Sequence, residues 1–248
     1  MKETEQIYGL RAIIEAVNAK KEVDKVFLQK GLRGELMQEL ERALRINGIT
    51  TAYVPIEKLN RLTKSNHQGA VATISPITFL SIEELVDNVA TKETPSLFLL
   101  LDQLSDVRNF GAVIRTAECT GVDGIIIQKK GAAPVTADTI KTSAGAAFKV
   151  PIAKVDHLTD AVYYLQASGV KIISASEKAT SLVYDLSFEG NVAIVMGAED
   201  KGVSPSILKA SDKTARIPLK GEIASLNVSV ACAVFLYEAV RQRALLSN

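Results

Sequence analysis

Histidine, cysteine and tryptophan are scarce in this sequence of 248 residues, and their scarcity excludes several kinds of site. The chain has two His, two Cys and no Trp. His67 and His157 lie far apart without partners at the spacing of a zinc site or a Ser–His pair, so we expect no metal. Cys119 and Cys232 also lack a nearby second ligand and are predicted to be buried, reduced thiols. An aromatic content of 5% argues against a module that binds bases mainly by stacking.

Long apolar runs are also missing. The longest, residues 97–101 and 192–196, are far shorter than the roughly 20 residues of a membrane helix. The first six residues carry charges of both signs and do not resemble the hydrophobic region of a signal peptide. A composition of 47% apolar and 23% charged residues is that of an ordinary globular chain with room for two modest cores. We therefore expect a cytoplasmic protein with no membrane partner.

The net charge of +1 is distributed unevenly along the chain. Residues 1–75 contain 12 Lys or Arg against 9 Asp or Glu, whereas residues 76–248 contain 17 against 19. A mildly basic first segment is compatible with a nucleic-acid partner, although a solvated surface of mixed charge gives the same count.

The apolar periodicity predicts two domains. Residues 1–75 read as a small α/β domain, residues 76–95 as a linker with one helix candidate at 82–89, and residues 96–248 as a second domain. In the first domain we predict helices at 6–18, 35–46 and 56–62 and strands at 25–29, 50–54 and 69–75.

The second domain alternates short apolar strands with helices, which is typical of an α/β fold whose parallel sheet is covered on both faces. Ligands of such sheets bind beyond the carboxyl ends of the strands. Predicted strands include 97–101, 124–127, 170–173 and 192–196, and predicted helices are 111–119, 138–147, 157–167 and 225–246.

Three segments that follow predicted strands carry candidate site residues. The first contains Asn109, Gly111 and Arg115 in the pattern N-x-G-x-x-x-R, the second runs from Gly197 through Glu199 to Gly202, and the third leads from a short strand through a loop into a long apolar helix. Each segment taken alone is explained equally well by a structural role, because Asn109, Ser225 and Asn227 are residue types that commonly cap helices. The third segment contains Ile217, Ser225, Leu226 and Asn227.

Common nucleotide-binding motifs are absent. The loop from Gly197 to Gly202 has the glycine spacing of a phosphate-binding loop, but Val203 stands where that motif requires Lys. The sequence also contains no G-x-G-x-x-G fingerprint. These absences argue against an NTPase and against small-molecule metabolism on an ordinary Rossmann fold.

Taken together and in order, the three segments resemble the three motifs of the SpoU (TrmH-type, SPOUT class) family of RNA ribose 2′-O-methyltransferases. The resemblance covers residues 97–248, and residues 1–75 are similar to the substrate-binding domain of the family branch that methylates a guanosine of bacterial 23S rRNA. It implies a trefoil-knotted parallel α/β catalytic domain, preceded by a small α/β domain of the L30e/L7Ae-like type. It also implies a homodimer that uses S-adenosylmethionine as cofactor and 23S rRNA as substrate.

The resemblance assigns roles by position. Gly197, Gly202, Ile217 and Leu226 would hold the cofactor or shape its loop. Arg115 would act at the target ribose, either as the base or by orienting the ribose and stabilising its alkoxide. The residues expected to support Arg115 are Asn109, Glu199, Ser225 and Asn227.

Basic residues of the first domain are the candidates for RNA recognition. We predict RNA contacts from Arg11, Lys25, Lys30 and Arg33, with Lys20 and Lys21 as further candidates. Two alternatives stay open, namely a tRNA 2′-O-methyltransferase of the same family and a non-catalytic RNA-binding or ribosome assembly factor.

Overall fold

A computed structural model describes residues 6–246 of the chain. They form two compact units, one built from residues up to Thr78 together with Pro134–Ala137, the other from Phe79–Ala133 and Asp138 onward. Of the segment predicted as a linker, residues from Phe79 belong to the second unit, where helix α4 (Ile82–Ala90) buries Ile82, Leu85 and Val89 in the core.

The first unit is a four-stranded sheet with helices. Its strands lie in the order β1-β4-β2-β3, and only β2 and β3 run parallel. One core joins α1 and α2 to the sheet around Ile13, Leu28 and Leu40, and a smaller cluster forms around Leu59 of α3. The elements are β1 (Gln6–Tyr8), α1 (Leu10–Asn18), β2 (Val23–Gln29), α2 (Glu35–Ile46), β3 (Thr50–Val54), α3 (Ile56–Leu62) and β4 (Ala70–Ile74).

The helix predicted at residues 6–18 begins later than expected. Ile7 pairs with Ala72 in the sheet, and the chain turns at Gly9, whose φ of 92° favours glycine. The apolar side chains of Ile7 and Leu10 still face one core, which is why the sequence pattern looked continuous.

The second unit confirms the predicted α/β fold with a parallel sheet. Six strands lie in the order β10-β8-β9-β5-β6-β7, and every neighbouring pair is parallel. The strands are β5 (Leu97–Asp102), β6 (Gly124–Gln128), β7 (Ile152–Val155), β8 (Lys171–Ala175), β9 (Val192–Gly197) and β10 (Lys213–Ala215). Its remaining helices are α5 (Val107–Cys119), α6 (Ala137–Thr142), α7 (Leu158–Ala167), α8 (Pro205–Ala210) and α9 (Val228–Leu246).

Several predictions for this unit need correction. The helix predicted at 138–147 stops at Thr142, because Ala144 and Gly145 both have positive φ, and a short 3-10 helix follows at Ala146–Phe148. Cys119 was wrongly predicted to be buried, because it ends α5 on the exposed side. Cys232 is buried as expected, and burial raises the pKa of its thiol to about 12.

The sheet order determines where a ligand would gather. From β5 the chain first adds β6 and β7 on one side, then crosses to place β8, β9 and β10 on the other. The reversal lies between β5 and β9, where the carboxyl ends of parallel strands leave a crevice. Among residues 6–246 no helix is long and apolar enough to cross a membrane.

Candidate active site

The loop that follows β9 packs tightly against its own start. A Cβ atom on Gly197 would lie 2.0 Å from the carbonyl carbon of Gly202, so no side chain fits at that position. Gly202 has a φ of 66°, and its N–H donates to the carbonyl of Ala198 over 2.8 Å. The next turn is tied to β5, because the N–H of Ser204 donates to Oδ2 of the buried Asp102 over 2.7 Å. Both glycines of the second motif are therefore required by the backbone.

The first motif lies on the opening turn of α5. Asp106 caps this helix, since its Oδ1 accepts from the N–H of Asn109 over 2.7 Å. The capping role considered for Asn109 thus belongs to Asp106, and the helix begins four residues earlier than predicted. The Asn109 side chain is therefore not used in the cap and is available for another hydrogen bond.

The polar side chains of the three motifs meet in one cluster. Nδ2 of Asn109 donates to Oε1 of Glu199 over 3.1 Å. Nδ2 of Asn227 donates to the same carboxylate oxygen over 2.5 Å and to Oδ1 of Asn109 over 3.0 Å. The N–H of Val228 approaches this oxygen at 3.4 Å. We call these three side chains, Asn109, Glu199 and Asn227, the amide–carboxylate cluster.

Asn227 has a second function, because it begins α9. Its Oδ1 accepts from the backbone N–H of Ser229 over 3.0 Å and from the Ser229 hydroxyl over 2.5 Å. Asn227 therefore caps α9 and belongs to the amide–carboxylate cluster at the same time. The helix predicted from residue 225 begins at Val228.

A cavity of about 380 Å³ adjoins the amide–carboxylate cluster, with Glu199 in its wall. Residues at and after the ends of β8, β9 and β10 form it together with residues of α9, at the carboxyl edge of the sheet. Within the described chain, the backbone N–H groups of Ile217, Leu219 and Leu226 donate to no other group. Free N–H donors beside apolar side chains suit a ligand with a heteroaromatic ring and polar edges. The cavity is thus compatible with an adenosyl cofactor.

All four residues predicted to hold the cofactor line this cavity: Gly197, Gly202, Ile217 and Leu226. Sequence reasoning missed Ser176 and Glu177, which follow β8, and Phe235 of α9. It also missed Asp102, which joins the end of β5 to the glycine loop. The position of Ser176 and Glu177 at the carboxyl end of β8 could have indicated them as site residues, but only with the knowledge that β8 lies beside β9.

Two predicted catalytic residues lie outside the cluster. Ser225 lines the cavity but makes no hydrogen bond within residues 6–246. Arg115 is exposed on α5, and its guanidinium has neither a hydrogen bond nor an ion pair in that range. It lies six residues beyond Asn109, about 9 Å along the helix axis. One chain alone thus presents Arg115 to its surroundings and not to the cavity.

The predicted RNA contacts of the first unit differ in their surroundings. Lys30 and Arg33 are exposed and make no ion pair with any described residue. Nζ of Lys25 lies 5.1 Å from the ring centroid of Phe27, a cation–π distance, and Arg11 pairs with Glu39 at 3.7 Å. In the described chain no group of three or more His, Cys, Asp or Glu is arranged to hold a metal.

Comparison with known families agrees with this geometry. The model of the SpoU rRNA methylase family matches residues 96–237. The chain belongs to this family. A second model, described as an RNA 2′-O ribose methyltransferase substrate-binding domain, matches residues 6–80. The resemblance seen in the three motifs is thereby confirmed.

Relatives and solved structures extend the match over nearly the whole chain. A protein of Coxiella burnetii named 23S rRNA (guanosine-2′-O-)-methyltransferase RlmB is 34% identical over 98% of each chain. The RlmB of Vibrio cholerae is 37% identical, covering 96% of this chain and 97% of its own. The crystal structure of the SpoU methyltransferase AviRb from Streptomyces viridochromogenes with AdoMet has a TM-score of 0.60 at 25% identity, covering 96% of this chain and 90% of that one.

Proposed function

We propose that this protein transfers a methyl group from S-adenosylmethionine to the ribose 2′-oxygen of a guanosine in 23S rRNA. The observation that carries the proposal is the convergence of Asn109, Glu199 and Asn227, one from each family motif, at the edge of the cavity. The RlmB relatives and the AdoMet-bound AviRb structure support the substrate and the cofactor.

The cofactor would lie along the free N–H groups of Ile217, Leu219 and Leu226, with the backbone of Gly197 and Gly202 closing the loop beneath it. When bound, it supplies a methyl group on a good leaving group, so the protein mainly has to position the ribose and remove a proton. No metal is needed for this chemistry. The amide–carboxylate cluster fixes the relative position of all three motif segments.

We assign Arg115 to the ribose as a cationic donor. A guanidinium stays protonated in proteins, so Arg115 orients the 2′-hydroxyl and stabilises the developing alkoxide, while a phosphate oxygen of the bound RNA accepts the 2′-hydroxyl proton. The exposed and unpaired state of Arg115 leaves it available for this contact. Ser225, on the cavity wall, would support the ribose from the cofactor side.

We infer that two copies of the chain complete the site. Arg115 does not line the cavity of its own chain, and α9 exposes a stripe of apolar side chains at Val230 and Tyr237, which are 50% and 54% exposed. Residues seven apart lie on one helix face, so this stripe suits a second copy. Sedimentation of the wild type and of Tyr237→Asp tests this: the variant should shift toward monomer and lose methyl transfer.

We further propose that the catalytic domain, residues 96–248, carries the trefoil knot of its class. The close approach of Gly197 to Gly202 and the bond from Ser204 to Asp102 support a deeply packed loop. Tracing the backbone of the crystallised protein through this loop tests the proposal, and a chain that is not threaded there would refute it.

Residues 1–75 would select the substrate. Lys25, Lys30 and Arg33 are the proposed phosphate contacts, and Arg11 would first have to leave Glu39. Lys30→Ala with Arg33→Ala should raise the KM for rRNA and flatten its salt dependence while the affinity for the cofactor is unchanged. Equal KM values would refute this assignment.

The decisive experiment maps methylated riboses by mass spectrometry in 23S rRNA and tRNA from cells with and without the protein. One guanosine of 23S rRNA should lose its 2′-O-methyl group in the deletion strain, and purified protein should restore it with S-adenosylmethionine. A missing methyl group in tRNA alone would favour the tRNA alternative. Unchanged RNA together with no cofactor binding would favour a non-catalytic assembly factor.

We propose that the reaction takes place in the cytoplasm.

A further inference from the structure

A second depression lies at the start of α5, outside the cofactor cavity, and measures about 600 Å³. We call it the α5–α6 groove. The two helices approach closely because residue 111 is glycine: a Cβ there would lie 2.5 Å from Cβ of Thr142. The contact between Gly111 and Thr142 thus sets the spacing of the two helices at this point. Asp106 and Arg108 line one wall, and Asp138 and Lys141 line the other.

The charged groups of the groove have hydrogen-bonding capacity left. Arg108, Asp138 and Lys141 are exposed, and none of their side chains forms a hydrogen bond or ion pair with another described residue. Asp106 uses one carboxylate oxygen to cap α5. The groove therefore offers a free carboxylate and a free ammonium on the α6 wall and a free guanidinium on the α5 wall, a set that matches a ligand with both donors and acceptors on its edge.

The groove shares helix α5 with Asn109 and Arg115, two residues of the proposed reaction site. Arg108 precedes Asn109, whose amide bonds to Glu199 in the wall of the cofactor cavity. Arg108 also lies seven residues before Arg115, so both guanidinium groups project from the same face of α5. A ribose that Arg115 holds against the cofactor cavity of the second copy would have its attached base within reach of this groove.

We propose that the α5–α6 groove binds the base of the target nucleotide and selects guanine. The N1–H and the exocyclic amine of guanine are adjacent donors, and the Asp138 carboxylate can accept a hydrogen bond from each. The O6 and N7 atoms of guanine are adjacent acceptors, to which Arg108 and Lys141 can donate. Adenine has an acceptor at N1, which a carboxylate repels. An enzyme that acts on an extruded nucleotide reads its base by such edge contacts. This inference rests on the proposed methyl transfer and adds the residues that recognise the base.

The test uses RNA fragments that carry guanosine, inosine or adenosine at the methylated position found by mapping. Inosine lacks only the exocyclic amine of guanine. The wild type should prefer guanosine to inosine by roughly tenfold in kcat/KM, as expected for one lost base contact. In Asp138→Ala this preference should fall to about twofold or less, because the contact to the amine is gone. Arg108→Ala should lower kcat/KM for guanosine and inosine equally, since both retain O6 and N7.

Matched controls are Asp160→Ala and Lys209→Ala, which remove exposed charges of the same unit away from the groove. Cofactor affinity measured by calorimetry should be the same in all variants. An Asp138→Ala enzyme with the wild-type preference, or an Arg108→Ala enzyme with wild-type kcat/KM, would overturn the proposal. If the wild type methylates no RNA, the proposed function itself fails, which is a distinct outcome.

Discussion

Asn109 donates a hydrogen bond to Glu199 across 90 positions of sequence, at 3.1 Å. This bond connects the helix that follows β5 with the loop that follows β9, two strands that are neighbours in the sheet. Asn227 donates to the same carboxylate oxygen from the start of α9. A single acceptor atom thus fixes the positions of the three motif segments.

Glu199→Gln should impair methyl transfer more than cofactor binding. The amide group keeps the size of the side chain but removes the charge that attracts two amide donors, Asn109 and Asn227, and the N–H of Val228. We expect kcat to fall by roughly 10²-fold, the scale seen when one positioned polar group is lost. Single-turnover methylation and calorimetry separate the two effects. Glu189→Gln, an exposed site elsewhere in the unit, should behave as wild type.

Arg115→Ala should lower kcat by orders of magnitude with little change in the affinity for S-adenosylmethionine. The reason is that we assign Arg115 to the ribose, whereas the residues that line the cofactor cavity do not include it. Arg115→Lys should recover part of the activity, because an ammonium retains the charge but not the planar fork of donors. Turnover of Arg115→Ala equal to that of the control Lys209→Ala would rule out any role of Arg115 at the ribose.

The sequence predicted the elements better than their ends. Apolar periodicity located the centres of strands such as β5 and β9, because both faces of these strands are buried. Helix starts were misplaced where a specific backbone feature decides them, as at Gly9 or at the Asp106 cap. Such features depend on φ and on hydrogen bonds that periodicity does not encode.

The candidate site was predicted from the resemblance, and its connections came from the structure. The cluster of Asn109, Glu199 and Asn227 depends on sheet order, which places distant segments at one edge and cannot be read from strand spacing. The same reason explains why Ser176 and Asp102 were missed. The motif likewise gave no indication that Arg115 is exposed.

Gly197→Ala should destabilise the second unit and impair cofactor binding. Its Cβ would lie 2.0 Å from the carbonyl carbon of Gly202 and 2.2 Å from the nitrogen of Val203, so the loop must shift. Overpacking against backbone costs about 3 kcal/mol or more. Gly190→Ala is the matched control, because nothing lies within 4 Å of a Cβ there. Calorimetric unfolding should separate the two variants, and equal unfolding temperatures would contradict the close approach.

Arg243→Met should destabilise the protein without touching the reaction site. The half-buried guanidinium of Arg243 donates to the carbonyls of Phe188 at 3.0 Å and of Pro95, Ser96 and Gly190 at 2.9 Å. Burial lowers the pKa of this guanidinium, although an Arg remains charged at any pH the folded protein tolerates. Loss of these donors removes four hydrogen bonds, although the Ser96 carbonyl still accepts from the N–H of Val192 over 3.0 Å. It should cost about 2–4 kcal/mol in the free energy of unfolding. Urea denaturation measures this cost, with Lys209→Met as control. A kcat per folded molecule equal to that of the wild type is expected, and a variant as stable as the wild type would show that solvent replaces these bonds at no cost.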